Sequence, residues 1–228
     1  MHVLLHICQP AGSQINSFSA REFQFMAEIG FSEACERNKG PILEVLTELF
    51  GKSSRILEIG SGTGQHAVYF ARALTHLHWQ PADTGDYLPG LKARLQYEAL
   101  CNVSDAIELD VRMSPWPVAN DLYDGVFSAN TLHYMGEDCV EAFFNGVGKI
   151  LPPGGMLAIY GPFRYQGKYT SPSNEQFDSY LKASDPVRGI RDFEWINDLA
   201  APQQFTLQAD YSMPANNQLL LWCKATNL

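Results

Sequence analysis

A glycine-rich loop is the part of this sequence best suited to bind a ligand. Gly60, Gly62 and Gly64 alternate with small polar residues directly after the apolar run Arg55–Ile59. Glycine lets the backbone turn sharply and approach a bound molecule, and the helix expected next would point its free amide groups at that molecule. The loop therefore predicts a nucleoside-binding site, with a glycine turn that binds nothing as the alternative.

The spacing of the glycines indicates which nucleoside is bound. A dinucleotide fingerprint starting at Gly60 needs a glycine where this chain has Gln65, and its third glycine is instead Gly64. The pattern is GxGxG, preceded by the acidic Glu58 and a hydrophobic residue. This pattern resembles the first motif of the class I S-adenosylmethionine-dependent methyltransferases. The resemblance implies S-adenosylmethionine as cofactor and methyl transfer as the reaction.

Two aspartates lie at the ends of the next two predicted strands. Asp83 follows the glycine loop at the interval that places an acidic residue on the ribose in nucleotide-binding folds. Its alternative role is to cap the next helix. Asp86 is better suited to that role. In the methyltransferases that the chain resembles, a residue at the position of Asp110 accepts from the adenine amino group. In the same methyltransferases, an apolar residue such as Val111 often packs on the adenine ring. The alternative for Asp110 is a solvated aspartate in a loop.

The resemblance also predicts a reaction centre after the fourth strand. The segment Tyr123–Asn130 resembles the fourth-strand motif, which would bring Asn130, Leu132 and His133 to the cofactor and the acceptor. Imidazole titrates near neutrality, so His133 is the candidate general base, and a structural role is its alternative. Asn130 and His133 are therefore the predicted catalytic residues.

A closer resemblance covers most of the chain after Gly30. Four segments resemble the methyltransferase-like family known as domain of unknown function 938, namely Phe31–Lys39, Gly60–His66, Trp79–Pro81 and Ser171–Asn174. This family predicts the cofactor and the fold but not the acceptor. The predicted cofactor-binding residues are Glu58, Gly60, Ser61, Gly62, Thr63, Gly64, His66, Asp83, Asp110, Val111, Asn130, Leu132 and Asn38.

A long connection at 161–195 is expected to cover the active site. Ser173 and Gln176 have the spacing of a capping box, which predicts a helix there. Five basic residues balance five acidic ones in this segment of an otherwise acidic chain, which suggests binding of an anionic acceptor, with surface ion pairs as the alternative. The predicted substrate-binding residues are Arg37, Tyr134, Arg164 and Arg191.

Strands alternate with helices along the chain, which predicts a mostly parallel sheet. A helix is expected from Pro41, as its first helical residue, to Phe50. The pattern predicts an α/β, Rossmann-like, seven-stranded methyltransferase sheet that closes with an antiparallel hairpin. The predicted strands are Arg55–Ile59, Leu77–Pro81, Ala106–Val111, Tyr123–Ala129 and Met156–Tyr160, followed by the hairpin strands Phe205–Tyr211 and Leu219–Cys223.

Composition sets the remaining expectations. The 228 residues carry a net charge of -9, which disfavours nucleic acid as a substrate, and the apolar run near the N-terminus is too short for a membrane span. Five scattered cysteines without metal-ligand spacing favour a reducing, cytoplasmic setting and no metal. We expect a loose leader at 1–25, one domain at 26–228 and a small-molecule acceptor; the oligomeric state stays open.

Two other functions fit parts of the sequence. A regulatory module would bind S-adenosylmethionine without transferring its methyl group, and no residue pattern distinguishes it from an enzyme. A nicotinamide-dependent oxidoreductase is opposed by the GxGxG spacing and by the closing hairpin.

Overall fold

A computed structural model describes residues 29–118 and 123–226. The ten strands in these ranges are β1 Arg55–Ile59, β2 His78–Asp83, β3 Ile107–Glu108, β4 Gly125–Ala129, β5 Met156–Gly161, β6 Phe163–Tyr165, β7 Lys168–Tyr169, β8 Arg191–Asp192, β9 Phe205–Met213 and β10 Asn217–Lys224. The six α-helices are α1 Glu33–Leu49, α2 Gln65–Ala73, α3 Leu88–Glu98, α4 Glu137–Ile150, α5 Pro172–Ser184 and α6 Phe193–Ala200. The expected leader at 1–25 lies outside the described residues.

Seven strands form one sheet in the order β3-β2-β1-β4-β5-β10-β9. The five strands from β1 to β5 run parallel, whereas β10 pairs antiparallel with both β5 and β9. This arrangement confirms the predicted seven-stranded α/β sheet and its closing hairpin. The chain order reverses between β1 and β4, and ligands bind beside the carboxyl ends of the strands at such a switch point.

Helices cover both faces of the sheet and bury its core. One face packs against α1 and α2 through side chains such as Ile42 and Phe70, and the other packs against α4 and α6 through Phe143 and Ile196. Strands covered on both faces are expected to be almost continuously apolar, as β1 is after Arg55. Each large side chain buried in this way contributes about 1.5–3 kcal/mol to stability.

The first helix differs from its prediction. It begins at Glu33, eight residues before Pro41, which lies inside the helix. The Ser32 hydroxyl accepts a hydrogen bond from the Cys35 amide at 3.3 Å and so caps the helix at its true start. Proline was a misleading signal because packing of Ile42 and Leu46 outweighs the hydrogen bond that proline cannot make.

The third strand and the covering segment also differ from their predictions. β3 is only two residues long, because the chain turns at Asp110, whose carboxylate accepts from the Arg112 amide at 2.9 Å. The long connection contains a second sheet, β7-β6-β8, that its sequence did not indicate. Its helix α5 is capped by Ser171, which accepts from the Asn174 amide, and not by Ser173.

Within 29–118 and 123–226, the helices are too short or too polar to cross a lipid bilayer.

Candidate functional site

The glycine loop lies at the carboxyl end of β1, beside the switch point of the sheet. Gly60, Gly62 and Gly64 have φ angles of +78°, +53° and +74°, a region that side chains strongly disfavour. A Cβ on Gly60 would lie 2.5 Å from the Thr131 hydroxyl, and one on Gly64 would lie 2.7 Å from Leu91. A Cβ on Gly62 would meet no atom within 4 Å. Gly60 and Gly64 therefore allow Thr131 and Leu91 to pack closely against the loop. Gly62 instead faces open space where a ligand can approach.

Ser61 anchors this loop to the neighbouring strand. The amides of Gly60 and Ser61 both donate to the Ala82 carbonyl, at 2.9 and 3.1 Å. The Ser61 hydroxyl accepts from the Ala82 amide at 3.2 Å. The end of β2 therefore fixes the shape of the loop.

Asp83 joins the loop to the end of β2, where its prediction placed it. Its Oδ2 accepts from the Gly62 amide at 2.6 Å, and its Oδ1 accepts from the Thr84 amide at 2.7 Å. Burial raises the pKa of this carboxyl. Helix α3 begins after Tyr87 without a side-chain cap, so Asp83 and Asp86 do not cap it. Asp83 thus stands beside the open face of Gly62, and its contact with a ribose stays a prediction.

Glu58 lies beneath the loop and is buried. Its carboxylate accepts from the Trp79 indole nitrogen at 2.9 Å. Burial raises its pKa to about 7, helped by the negative charge of Asp83. Glu58 therefore braces the loop from inside the core, and a direct cofactor contact stays a prediction.

The start of α1 covers the glycine loop through a polar network that the sequence analysis missed. The side chain of Gln65 accepts from the Ser32 amide at 2.6 Å and donates to Glu36 at 2.7 Å. The Thr63 hydroxyl donates to the same Gln65 oxygen at 2.9 Å. Arg94 on α3 donates to the carbonyls of Thr63 and Gly30, at 2.5 and 2.7 Å. This network holds the loop, α1 and α3 together.

Asn38 and His66 form a buried pair next to this network. The Asn38 carboxamide oxygen and the His66 Nε2 are 2.7 Å apart, and the His66 ring stacks on Phe70 at 5.1 Å. Burial lowers the pKa of His66 to about 4, so the ring is neutral near pH 7. Arg37 points away, with an exposed side chain 3.9 Å from Glu33. Cofactor contacts by Asn38 and His66, and substrate contacts by Arg37, stay predictions.

The predicted adenine side of the site is held by an ion pair. Arg112 donates to both carboxylate oxygens of Asp110, with the shortest distance 2.6 Å. This pairing lowers the pKa of Asp110. Val111 is buried, and its carbonyl accepts from the Trp116 indole at 3.0 Å. Asp110 is therefore charged and its position is fixed, and its adenine contact stays a prediction.

Asn130 and His133 come together at the carboxyl ends of β4 and β5. Asn130 has a φ of +55°, and its amide donates to the Tyr160 carbonyl at 2.8 Å. A Cβ on Gly161 would lie 3.7 Å from Nδ1 of His133 and 4.0 Å from Oδ1 of Asn130. Gly161 was not singled out from the sequence, although its place at the end of a parallel strand could have marked it. The side chains of Asn130 and His133 therefore converge on Gly161.

The environment of His133 keeps its imidazole neutral. The side chain is 4% exposed and packs against Tyr134 and against Phe177 of α5, with ring centroids 4.7 and 5.3 Å apart. Burial and the charge of Arg191 lower its pKa to about 3. Among the described residues, none hydrogen-bonds the imidazole nitrogens. A neutral imidazole with open hydrogen-bonding capacity thus lies beside Gly161.

Arg191 fixes the backbone around His133. It donates to the carbonyls of Leu132, Met135 and Val187, and its side chain is buried. Leu132 itself is buried in the core. These contacts commit the Arg191 guanidinium to the fold, and its predicted contact with an acceptor stays untested.

Arg164 lies in the small sheet and pairs with a neighbouring strand. It donates to Asp192 at 2.6 Å and lies over the Tyr169 ring, 5.6 Å from its centroid. The segment that was predicted to cover the active site contacts His133 through Phe177, and its sequence does not reveal how its charges pair. Acceptor binding by Arg164 and Tyr134 stays a prediction.

Several solved structures share this fold. An O-methyltransferase family protein from Burkholderia thailandensis matches at 17% identity and a TM-score of 0.75, over 91% of this chain and 64% of that one. Mitomycin 7-O-methyltransferase matches at 15% identity and a TM-score of 0.73, over 90% of this chain and 57% of that one. Human N-acetylserotonin methyltransferase in complex with SAM matches at 16% identity and a TM-score of 0.63, over 85% of this chain and 58% of that one. This chain spans less than two thirds of the length of each matched protein. At such low sequence identity, the matches establish a shared fold alone.

A family model shows the closer relationship. It is described as "Protein of unknown function (DUF938)" and matches residues 30–224, which include the glycine loop, the ends of β2 and β4, and the segment that covers them. The resemblance found in the sequence is confirmed, and the chain belongs to the DUF938 family.

Proposed function

We propose that this protein is an S-adenosylmethionine-dependent methyltransferase that acts on a small molecule. The observation that carries the proposal is the open face of Gly62, which has a left-handed backbone and lies beside Asp83 at the switch point of the sheet. A backbone that leaves space at this point fits a nucleoside, and the Asp83 carboxylate fits the hydroxyl groups of a ribose. The similar structures named as methyltransferases support the same cofactor.

The other residues of the site fit the needs of methyl transfer. When bound, S-adenosylmethionine supplies a methyl group already activated by a positively charged sulfur, so the protein mainly has to align the acceptor and exclude water. Asn130 and His133 lie together at the ends of β4 and β5, and Phe177 packs on His133 from α5. These residues place polar groups where an acceptor could be oriented next to the glycine loop.

We assign His133 the role of orienting the acceptor. A general base works best when its pKa is near the working pH, and the pKa of His133 is about 3. The neutral ring can still accept a hydrogen bond from an acceptor O–H or N–H, because none of its described neighbours hydrogen-bonds it. Replacing His133 with Ala should then lower turnover by a similar factor at every pH near neutrality, whereas loss of a general base would remove the acidic limb of the pH–rate profile.

The test is binding followed by transfer. Calorimetry with the purified protein should detect S-adenosylmethionine and S-adenosylhomocysteine but not NADH. A screen with methyl-labelled cofactor across metabolite pools should then yield a labelled small molecule. Binding of NADH in preference to S-adenosylmethionine would overturn the assignment in favour of an oxidoreductase. Cofactor binding without any labelled product would favour a regulatory module.

A further inference from the structure

Arg188 differs from the other arginines of the covering segment. Arg191 donates to main-chain carbonyls and Arg164 donates to Asp192. The Arg188 Nε is buried without a hydrogen-bond partner, and its nearest acid, Asp185, lies 3.6 Å from that nitrogen. In the described ranges no residue accepts a hydrogen bond from the Arg188 side chain, although its backbone amide donates to the Asp185 carbonyl at 3.0 Å. The two terminal nitrogens of the guanidinium are therefore available to a ligand.

Arg188 is also next to the reaction centre. Its guanidinium lies over the Tyr134 ring, 5.4 Å from the centroid, and the centroids of Tyr134 and His133 are 4.7 Å apart. One aromatic ring thus separates the guanidinium from the unpartnered imidazole. Both groups belong to the carboxyl end of the sheet, where ligands bind in this class of fold.

Exposed aromatic side chains surround this position. Tyr134, Tyr87 and Tyr180 are 47%, 58% and 68% exposed. Tyr87 and Tyr180 are close enough to Tyr134 to help raise its pKa, after the larger effect of burial. We call these three tyrosines the aromatic rim. Aromatic side chains exposed together beside a guanidinium and an imidazole indicate a binding surface more than a solvated one.

The rim and the guanidinium indicate the chemistry of one ligand. Tyrosine rings pack favourably against a flat ring, and guanidinium N–H groups bind carboxylates and similar oxyanions by charge-assisted hydrogen bonds. Asp185 approaches Arg188 at Nε, so the two terminal nitrogens are left for an anion. A cationic ligand would meet the positive charge of Arg188 at the same place.

We propose that the methyl acceptor is a small aromatic acid, with its ring on the aromatic rim and its anionic group on Arg188. This inference rests on the proposed function, because it names the acceptor of the same site. The reacting oxygen or nitrogen then faces His133, one ring away from the anion. Arg188 therefore determines specificity, in place of the predicted contacts from Arg164 and Arg191.

The experiment measures binding without turnover. The complex with S-adenosylhomocysteine is titrated by calorimetry with 4-hydroxybenzoate, 4-hydroxybenzamide and cyclohexanecarboxylate, which differ in charge or in aromaticity. The wild-type protein should bind 4-hydroxybenzoate at least about tenfold more tightly than either of the others, since tenfold corresponds to about 1.4 kcal/mol. Arg188→Gln should remove the preference for the acid over the amide. Tyr134→Leu should remove the preference for the aromatic over the saturated ring.

A matched arginine provides the control. Arg72→Gln changes an exposed arginine on α2 that pairs with Glu98, and it should leave all three affinities unchanged. Unchanged affinity for S-adenosylhomocysteine in every variant shows that the fold is intact.

Three results would overturn the inference: equal affinities for the three probes in the wild-type protein, binding of none of them, or a preference for the acid that survives in Arg188→Gln. Failure of S-adenosylhomocysteine to bind would instead overturn the proposed function. The same three probes, titrated into the free protein, would then still show whether the aromatic-acid site exists.

Discussion

At the scale of single residues, Gly62 is the position where backbone conformation and ligand space coincide. Its φ of +53° favours glycine, yet no atom lies where its Cβ would be. A side chain there would fit the folded protein at the cost of backbone strain, about 1–2 kcal/mol, and would occupy the space assigned to the cofactor. The sequence indicated this residue, and the structure distinguishes it from Gly60 and Gly64, whose role is packing.

We expect Gly62→Arg to abolish measurable binding of S-adenosylhomocysteine while the protein stays folded. Gly167→Arg is the matched control, because Gly167 also has a left-handed backbone, with a φ of +72°, and no neighbour within 4 Å of its Cβ position. Both variants carry similar strain, so calorimetric affinity and thermal unfolding together separate strain from blocked binding. Normal affinity in Gly62→Arg would contradict the assignment of the loop.

Asp83 provides a second test at this scale. Asp83→Ala should weaken binding of S-adenosylhomocysteine by about 1.5–3 kcal/mol, because charge-assisted hydrogen bonds to the ribose are lost. The change also removes the bond to the Gly62 amide. A comparison of adenosine with 2′,3′-dideoxyadenosine separates the two effects, since only the ribose contact depends on the hydroxyl groups.

The wild-type protein should prefer adenosine, and Asp83→Ala should bind both nucleosides equally. The control is Asp86→Ala, an exposed aspartate nearby, which should bind like the wild type. A preference for adenosine that persists in Asp83→Ala would limit Asp83 to bracing the loop.

At the scale of elements, the start of α1 covers one side of the glycine loop. Gln65, the first residue of α2, bonds the Ser32 amide and Glu36, so one side chain joins two helices across the loop. The cover is polar and partly exposed, which makes it a local unit that can open without unfolding the core.

We expect Gln65→Ala to open this cover more often. The loss of hydrogen bonds worth about 1–2 kcal/mol should speed amide hydrogen exchange at Ser32 and Cys35 by roughly tenfold. The control is Gln203→Ala, which removes a glutamine hydrogen bond to Asn145 elsewhere on the surface. Equal exchange rates at these amides in both variants would show that α1 is held by its apolar face alone.

At the scale of the whole molecule, three buried titratable groups give opposing pH dependences. The folded pKa of Glu58 is about 7, raised from 4.5, so the folded state holds a proton that the unfolded state releases between pH 4.5 and 7. Its contribution to stability therefore decreases by about 3 kcal/mol as the pH rises through this window. His66 and His133 have pKa values lowered to about 4 and 3 from 6.5. Their contribution is complete above pH 6.5 and decreases as the pH falls below it.

We expect Glu58→Gln to make the protein lose stability more steeply in acid. Without the opposing effect of Glu58, the free energy of unfolding should decrease faster between pH 6.5 and 4.5, as measured by urea unfolding. Glu48→Gln, at an exposed position on α1, removes the same charge and should leave the slope unchanged. His66→Gln should make the slope shallower than in the wild type. Identical slopes in the wild type and Glu58→Gln would contradict a raised pKa for Glu58.

The sequence by itself determined the sheet, the closing hairpin and the glycine loop, because these depend on local patterns. Period-two or continuous apolar runs specify strands, and glycine spacing specifies the turn after β1. The positions of Asp83 and Asn130 followed, since parallel strands bring their carboxyl ends to one edge. Pro41 misled the prediction because a local signal was overruled by packing of the same helix.

Only the tertiary structure decided which charged and polar side chains are already paired. Arg164, Arg188 and Arg191 are alike in sequence, yet two of them donate to the fold and the third does not. Likewise, the pKa of His133 depends on burial under Phe177 and on the charge of Arg191, which are distant in the chain. Desolvation and pairing act through space between residues far apart in sequence, so spacing along the chain does not encode them.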